Sequence, residues 1–304
     1  MNLREPCRIA ALLVLAGAWA PSAPAQEMEP RSYSPNPVGV TFLIAAFARS
    51  TGGVLTDPSL PVDDVEAEVD TTALGFGHTF GFLGRSASFG VVQPRISGHF
   101  TGTLDGEDAE ASRSGIGDSK LKFTANLLGA PALSLAEFAR RQPQTTLGAS
   151  LTVSAPTGEY HSDKLINVGT NRWALKPEIG LSHPIGRWTL EAIVGAWFFQ
   201  DNDDFFGGHH REQEPLASIQ AHVGYTFRPR LWLAFNATYY DGGRSAIDGV
   251  KKDDRQSNSR YGLTLSVPVA QRQSLKLNWN DGASTRIGSE FSTWGIAWQY
   301  TILK

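Results

Sequence analysis

Along much of this 304-residue chain, apolar and polar residues alternate one by one. Leu275, Leu277 and Trp279 oppose Ser274, Lys276, Asn278 and Asn280. Ile219, Ala221, Val223, Tyr225 and Phe227 oppose Gln220, His222, Gly224 and Thr226, and Leu121, Phe123 and Ala125 oppose Lys120, Lys122, Thr124 and Asn126. A period of two marks a β-strand with unlike faces. The runs "RYGLTLSVPV" and "TTLGASLTVSA" follow the same rule. The pattern predicts about twelve strands, near 38–49, 70–82, 88–104, 118–128, 145–156, 173–184, 188–199, 216–228, 231–241, 259–269, 274–280 and 291–302.

The connections sharpen the picture. Short turns at "GRS" (84–86), "IGR", "RPR" and "AQRQ" alternate with longer loops, the longest short-side connection being Gly129 to Gln144. Outer-membrane barrels segregate loop lengths in this way, with short periplasmic turns and longer outward loops, whereas a β-sandwich has no reason to. The expected fold is therefore all-β, a transmembrane antiparallel up-and-down β-barrel of about 12 strands, with both termini in the periplasm. In hydrocarbon every backbone amide must be paired within the protein, and closure also removes exposed strand edges.

The run 173–199 is then one membrane hairpin. Trp173, Leu175, Ile179, Leu181, Trp188, Leu190, Ala192 and Val194 face lipid, while Lys176, Glu178 and Glu191 point inward. The same parity directs Gln220, His222, Asn236, Arg260, Lys276 and Asn278 into the lumen, and these nine residues are the candidate lining of a channel. Trp173, Trp188, Phe198, Tyr239, Trp298 and Tyr300 sit near strand ends, where an interfacial aromatic girdle belongs. Trp232 falls on the inward parity, so either the register slips there or its ring lies in the lumen.

The N-terminus carries Arg4 and Arg8, an apolar stretch from Ile9 to Ala20, and Ala23-Pro24-Ala25. That is the anatomy of a secretory signal peptide, and its apolar run of about 12 residues falls short of the ~20 needed to span a membrane as a helix. The expected division is 1–25 signal peptide, 26–37 periplasmic N-terminal segment and 38–304 barrel. Cys7, the single cysteine, leaves with the leader, so the mature chain has no disulfide, thiolate metal site or cysteine nucleophile. With 25 basic and 29 acidic residues remaining, no nucleic-acid partner is expected. The segment "EMEPRSYSPNP" is too short for a folded plug domain, although it could thread into the lumen.

Four stretches, "APTGEYHSDKLINVGTNRWALKPEIG", "LWLAFNATYYDGGRSAIDGV", "NSRYGLTLSVPV" and "STRIGSEFSTWGIAWQY", resemble the meta-pathway of phenol degradation family of outer-membrane, transporter-like β-barrels. The resemblance runs from about Thr145 to Tyr300. It implies a barrel in the outer membrane of a Gram-negative bacterium, associated with passage of small apolar or aromatic compounds. "TWGIAWQY" also resembles the C-terminal signal read by the outer-membrane insertion machinery, through Thr293, Gly295, Trp298 and Tyr300, with Thr301 to Lys304 following the last aromatic. The expected partners are outer-membrane lipid and lipopolysaccharide, that machinery, and the solute.

Enzyme signatures are weak. "GFGHTFG" lacks the spacing and the following helix of a dinucleotide loop. "QDNDDFFGGHHREQE" breaks the calcium-loop pattern at Phe205 and Phe206, so no metal site and no cofactor are assigned. "HSD" at 161–163 holds nucleophile-like groups, but order along a loop is not triad geometry. A barrel lipid hydrolase and a barrel without conductance are the alternatives to a channel. His222 reads as a hydrogen-bonded lumen histidine ahead of a base. The stretches 50–68, 105–118 and 201–214, read as outer loops, hold fifteen Asp or Glu against two Arg. Either they are merely solvated, or they bind divalent cations shared with anionic outer-leaflet lipid and disfavour anions at the mouth.

Overall fold

The computed structural model describes residues 28–55, 62–104 and 107–303. The leader expected at 1–25 lies outside them. The strands are β1 (Val40–Leu55), β2 (Val62–Phe82), β3 (Arg85–Leu104), β4 (Glu107–Ile116), β5 (Ser119–Leu128), β6 (Thr146–Ala155), β7 (Ala174–Ile185) and β8 (Trp188–Phe199). They continue with β9 (Asn202–Phe205), β10 (His209–Gln213), β11 (Leu216–Arg228), β12 (Leu231–Gly242), β13 (Ser245–Ile247), β14 (Val250–Lys251), β15 (Gln256–Ala270), β16 (Gln273–Ser284) and β17 (Gly288–Leu303). One short helix, α1 (Leu135–Arg140), lies in the 129–145 connection, started by a reciprocal Ser134–Glu137 capping box.

All wall pairings are antiparallel, and the sheet closes on itself as a barrel of twelve strands. β1 meets β17 over the full span from Val40↔Leu303 to Leu55↔Gly288. One position in the wall is shared: the outer half of β3 (Arg95–Leu104) pairs with β4, and the inner half (Ala87–Val92) pairs with β5. β4 and β5 thus act as one strand interrupted at Gly117-Asp118, where Gly117 N–H still reaches Pro94 O at 2.9 Å. Asp118 ties the break to the 156–173 loop, accepting from Gly158 N–H and Thr170 N–H, each at 2.9 Å. A separate four-stranded sheet, β14-β13-β10-β9, stands at the outer end.

The wall is uneven in height. β2 has 21 residues and β6 only 10, roughly 70 and 33 Å at ~3.3 Å per residue. Nine to eleven tilted residues suffice to cross a bilayer, so the β1–β4 side rises well above it. This corrects the loop reading of 50–68 and 105–118, most of which is strand. The alternation continues upward there. Val65 and Ala67 stay buried on the inner face, while Glu66 and Glu68 take the outer positions that Leu74 and Phe76 occupy lower down. The outward residues change from acidic to apolar close to Arg49, which grips Asp70 through two bonds of 2.7 and 2.6 Å.

The short turns obey φ geometry. Leu83 and Gly84 both have positive φ (48° and 74°), the signature of the tight hairpin turn whose twist matches its strands. At Pro229-Arg230, Arg230 holds φ 67° without being glycine. Its guanidinium donates to Gln271 O at 2.7 Å and Ala270 O at 3.2 Å, which ties neighbouring turns together.

Outside, Trp173, Trp188, Phe198, Tyr239 and Trp298 are exposed, and half-buried Tyr300 stacks on Trp298 at 6.1 Å. Trp232 is 6% exposed and points inward. The β11–β12 register is unbroken from Leu216↔Gly242 to Thr226↔Trp232, so no slip occurs at that position.

Candidate functional site

The structure places Lys176, Glu178, Glu191, Gln220, His222, Asn236 and Arg260 on the inner face, all buried, with Lys276 and Asn278 on the same face of β16 and partly covered. Strand register brings them into rows. Glu191, His222 and Asn236 are successive cross-strand neighbours on β8, β11 and β12. His222 Nδ1 meets Asn236 Oδ1 at 2.8 Å, and Asn236 Nδ2 donates to Thr264 Oγ1 at 3.0 Å. The histidine is therefore a hydrogen-bonded member of the wall. A second group centres on Glu178, which pairs with Lys176 Nζ at 2.8 Å, lies 3.5 Å from Lys122 Nζ, and accepts from Gln220 Nε2 at 3.4 Å. Arg260 stands apart at the outer end, donating to Asn280 Oδ1 at 2.7 Å. Asn278 lies opposite Gly295, where an added Cβ would stand 2.8 Å from Asn278 Oδ1.

Sequence reasoning left the 26–37 segment in the periplasm with an option to thread inward, and residues 29–33 enter the lumen. Glu29 forms an ion pair with Lys122, and its backbone N–H reaches Gln220 Oε1 at 3.4 Å. Arg31 N–H donates to Glu191 Oε2 at 2.6 Å, and its Nη2 donates to Thr226 Oγ1 at 2.6 Å. The same guanidinium lies 4.5 Å over the Trp232 ring, which explains why that tryptophan faces inward. Tyr33, 1% exposed, hydrogen-bonds Ser150 Oγ at 2.9 Å, and Ser150 in turn donates to Glu178 at 3.3 Å. Alternating Glu29, Arg31 and Tyr33 thus present acid, base and ring to complementary wall groups. Lys122 and Trp232 were legible as inward by parity. Their partners were not, because a segment without periodicity gives no direction.

Tyr33 has a built seat. Gly148 and Gly180 are cross-strand partners on β6 and β7. A Cβ on Gly180 would come 2.1 Å from Tyr33 Cε2, and one on Gly148 would come 2.4 Å from Cδ1. Gly180→Leu is therefore expected to expel the ring. The mature chain expected from the sequence lacks cysteine, so Tyr33→Cys supplies a single reporter. A water-soluble maleimide should label it slowly in the parent and at least several-fold faster in the Gly180→Leu background. Equal rates would refute the seat.

Thr293 and Gly295 face inward on β17, and Trp298 and Tyr300 face out; Thr293 Oγ1 meets Ser50 Oγ at 2.8 Å. The 161–163 stretch forms no relay. Ser162 O accepts from Gly207 N–H, and Asp163 pairs with Lys164 at 3.0 Å. The 201–214 stretch, read as a solvated loop, holds β9 and β10. On this hairpin His210 Nδ1 contacts Asp203 at 2.7 Å, and its Nε2 lies 3.3 Å from Glu212 and 3.8 Å from Asp201. The hydrogen bond to Asp203 raises the His210 pKa above 6.5, with Glu212 adding to it. A raised folded-state value means that this contribution to hairpin stability is fully present below 6.5 and is lost as pH climbs through the raised value. An NMR titration of His210 should give a midpoint above 6.5 that falls back in Asp203→Asn; an unchanged midpoint would remove Asp203 as the cause.

A family model described as "Putative MetA-pathway of phenol degradation" matches residues 48–299. The chain belongs to this family. The family match begins almost a hundred residues before the stretch that carried the sequence resemblance, and it covers most of the barrel. Among solved structures, an outer membrane channel from Pseudomonas putida F1 superimposes with a TM-score of 0.76 at 23% identity, covering 91% of this chain and 100% of that one. The transport unit of the autotransporter AIDA-I from Escherichia coli gives 0.50 at 8% identity, over 98% and 99%. The beta domain of the Bordetella autotransporter BrkA gives 0.50 at 10%, over 86% and 98%. No curated protein sequence matches the chain. At these identities the likeness is one of fold, and the fold of this family member is that of an outer-membrane barrel with its apolar band outward.

Proposed function

We propose that this family member is an outer-membrane channel for small solutes, narrowed from the periplasmic side by its own residues 29–33. The observation that carries the reading is the strap itself. An eight-stranded barrel is filled by its own side chains, whereas this one accommodates a chain segment seated on Gly148 and Gly180 and bonded to Lys122, Glu191 and Ser150. An interior that holds a removable segment has a lumen to open. Inward rings at Trp197, Trp232 and Tyr240 support passage of aromatic or apolar compounds. We read the chain as exported by its leader, inserted through the Thr293–Tyr300 signal, and non-catalytic. The acidic upper wall suits divalent cations bridging to lipopolysaccharide. Planar-bilayer recording tests the channel: discrete conductance steps from the full chain or from a strapless variant support it, and persistent silence from both favours the non-conducting barrel.

A further inference from the structure

Two arginines at the outer mouth have no carboxylate at ion-pair distance among the described residues. Arg172 precedes β7 and Arg211 lies on β10, and they are 6% and 8% exposed. The acids that act on them from a distance are Asp201 and Asp118 on Arg172 and Asp254 on Arg211; Asp118 is engaged by Gly158 and Thr170, Asp254 by Ser245, and Asp201 lies 3.8 Å from His210. Burial, and next the neighbouring Arg211 charge, pull the Arg172 pKa down to about 9. Buried guanidiniums left unneutralised are costly. Arg172 Nη1 and Arg211 Nε have no hydrogen-bond partner, and neither does the indole Nε1 of buried Trp197.

The apolar surroundings are equally specific. Arg172 lies 4.6 Å over the Phe199 ring, and Phe199 stacks on Trp197 with centroids 6.4 Å apart and planes 16° from parallel. Trp197 and Tyr240 are packed in one buried cluster at this end of the lumen. Arg172 Nη2 already donates to Gln213 Oε1 and Arg211 lies 5.3 Å over the Phe205 ring, but Arg172 Nη1 and Arg211 Nε remain as free donors beside an aromatic floor inside the barrel. A lipid phosphate would demand an open outer surface, and these side chains are covered.

We propose that Arg172 and Arg211 form a binding site for small aromatic carboxylates, the carboxylate taken by the guanidiniums and the ring laid against Phe199 and Trp197. Guanidinium and carboxylate match in a two-bond fork, and charge-assisted bonds are the strong ones. The site rests on the channel reading for its role as the first station of a solute entering from outside, and it gives that solute a chemical class. It also separates two electrostatic surfaces of the mouth, since Glu66 and Glu68 of the tall wall face outward while these two cations are buried.

The test uses the full chain in detergent micelles and calorimetric titration with benzoate, acetate and benzyl alcohol. Benzoate should bind saturably. Loss of one charge-assisted bond is worth roughly tenfold in affinity, so Arg172→Gln and Arg211→Gln should each weaken benzoate by about that factor. Acetate lacks the ring and benzyl alcohol lacks the charge, and both should bind the parent more weakly than benzoate. Heat-modifiable migration on gels certifies that each variant is folded, and Arg172→Lys, which keeps the charge but not the fork, should fall between parent and glutamine variant. Benzoate binding unchanged in both glutamine variants, benzyl alcohol equal to benzoate, acetate equal to benzoate, or no saturable benzoate binding would each overturn the site. Potassium chloride conductance, measured separately, reports on the channel without reference to these residues, so the two ideas fail independently.

Discussion

Deleting residues 28–33 should raise single-channel conductance several-fold while leaving the barrel folded. The strap's holds are side-chain contacts to the wall at Lys122, Glu191, Thr226 and Ser150 and the ring seat at Gly148 and Gly180. None of the twelve wall strands uses it as a ladder partner. Its removal strands charges that would be ruinous in a dry core, but a water-filled lumen hydrates them. Lys122 also retains Glu178 at 3.5 Å. The triple variant Glu29→Gln, Arg31→Gln, Tyr33→Ala removes the strap's side-chain anchors at full length and leaves only its backbone bonds to Gln220 and Glu191. It should show frequent excursions to the conductance of the deletion. Bilayer recordings in which parent, deletion and triple variant carry the same current would show that the strap does not restrict flow.

The second large effect concerns the outer face. Ile179, Val194 and Ile219 are cross-strand neighbours on β7, β8 and β11, and all three are exposed. Val194→Arg places a charge in the apolar band, at a cost of about 2–4 kcal/mol if the site lies at mid-membrane. Ser182→Lys is the control: Ser182 is buried on the inner face directly across from Glu191, so the new ammonium meets a carboxylate and water. Folding equilibria in lipid vesicles, followed by denaturant titration, should show a large loss for the first and a small one for the second. Comparable losses at both positions would break the assignment of faces.

These two experiments bear on different parts of what the sequence disclosed. Strands 188–199 and 216–228 were readable to the residue, because their lipid-facing positions are apolar throughout and Glu191, Gln220 and His222 mark the opposite face, even though Ile193 and Trp197 also point inward. β2 was read as starting at 70 instead of 62, since Asp64, Glu66 and Glu68 look like loop residues when the outward face is assumed to meet lipid throughout. Above the membrane that face meets water, and acids belong there. β9, β10, β13 and β14 escaped because two to five residues are too few for a period to register. Parity pointed the nine lining residues inward, but neither the seat of Tyr33 nor the Arg172–Arg211 pair could be read. Both depend on segments that fold back from outside the repeating pattern.

Since the strap lies outside the wall's hydrogen-bond ladder, it has its own opening equilibrium. Its link to β1 is short and rich in proline, at Pro35 and Pro37, and the chain is fixed again where Val38 N–H meets Leu133 O and Gly39 N–H meets Thr79 O. Detachment therefore pivots at that point and exposes little surface, in the manner of a low-energy local unfolding unit. In hydrogen–deuterium exchange the amides of Glu29 and Arg31 should exchange orders of magnitude sooner than those of β8 and β11, and in a different kinetic class. A periplasmic molecule that grips the residues ahead of Glu29 would then shift the strap's equilibrium by mass action alone, without paying any part of the barrel's own unfolding free energy.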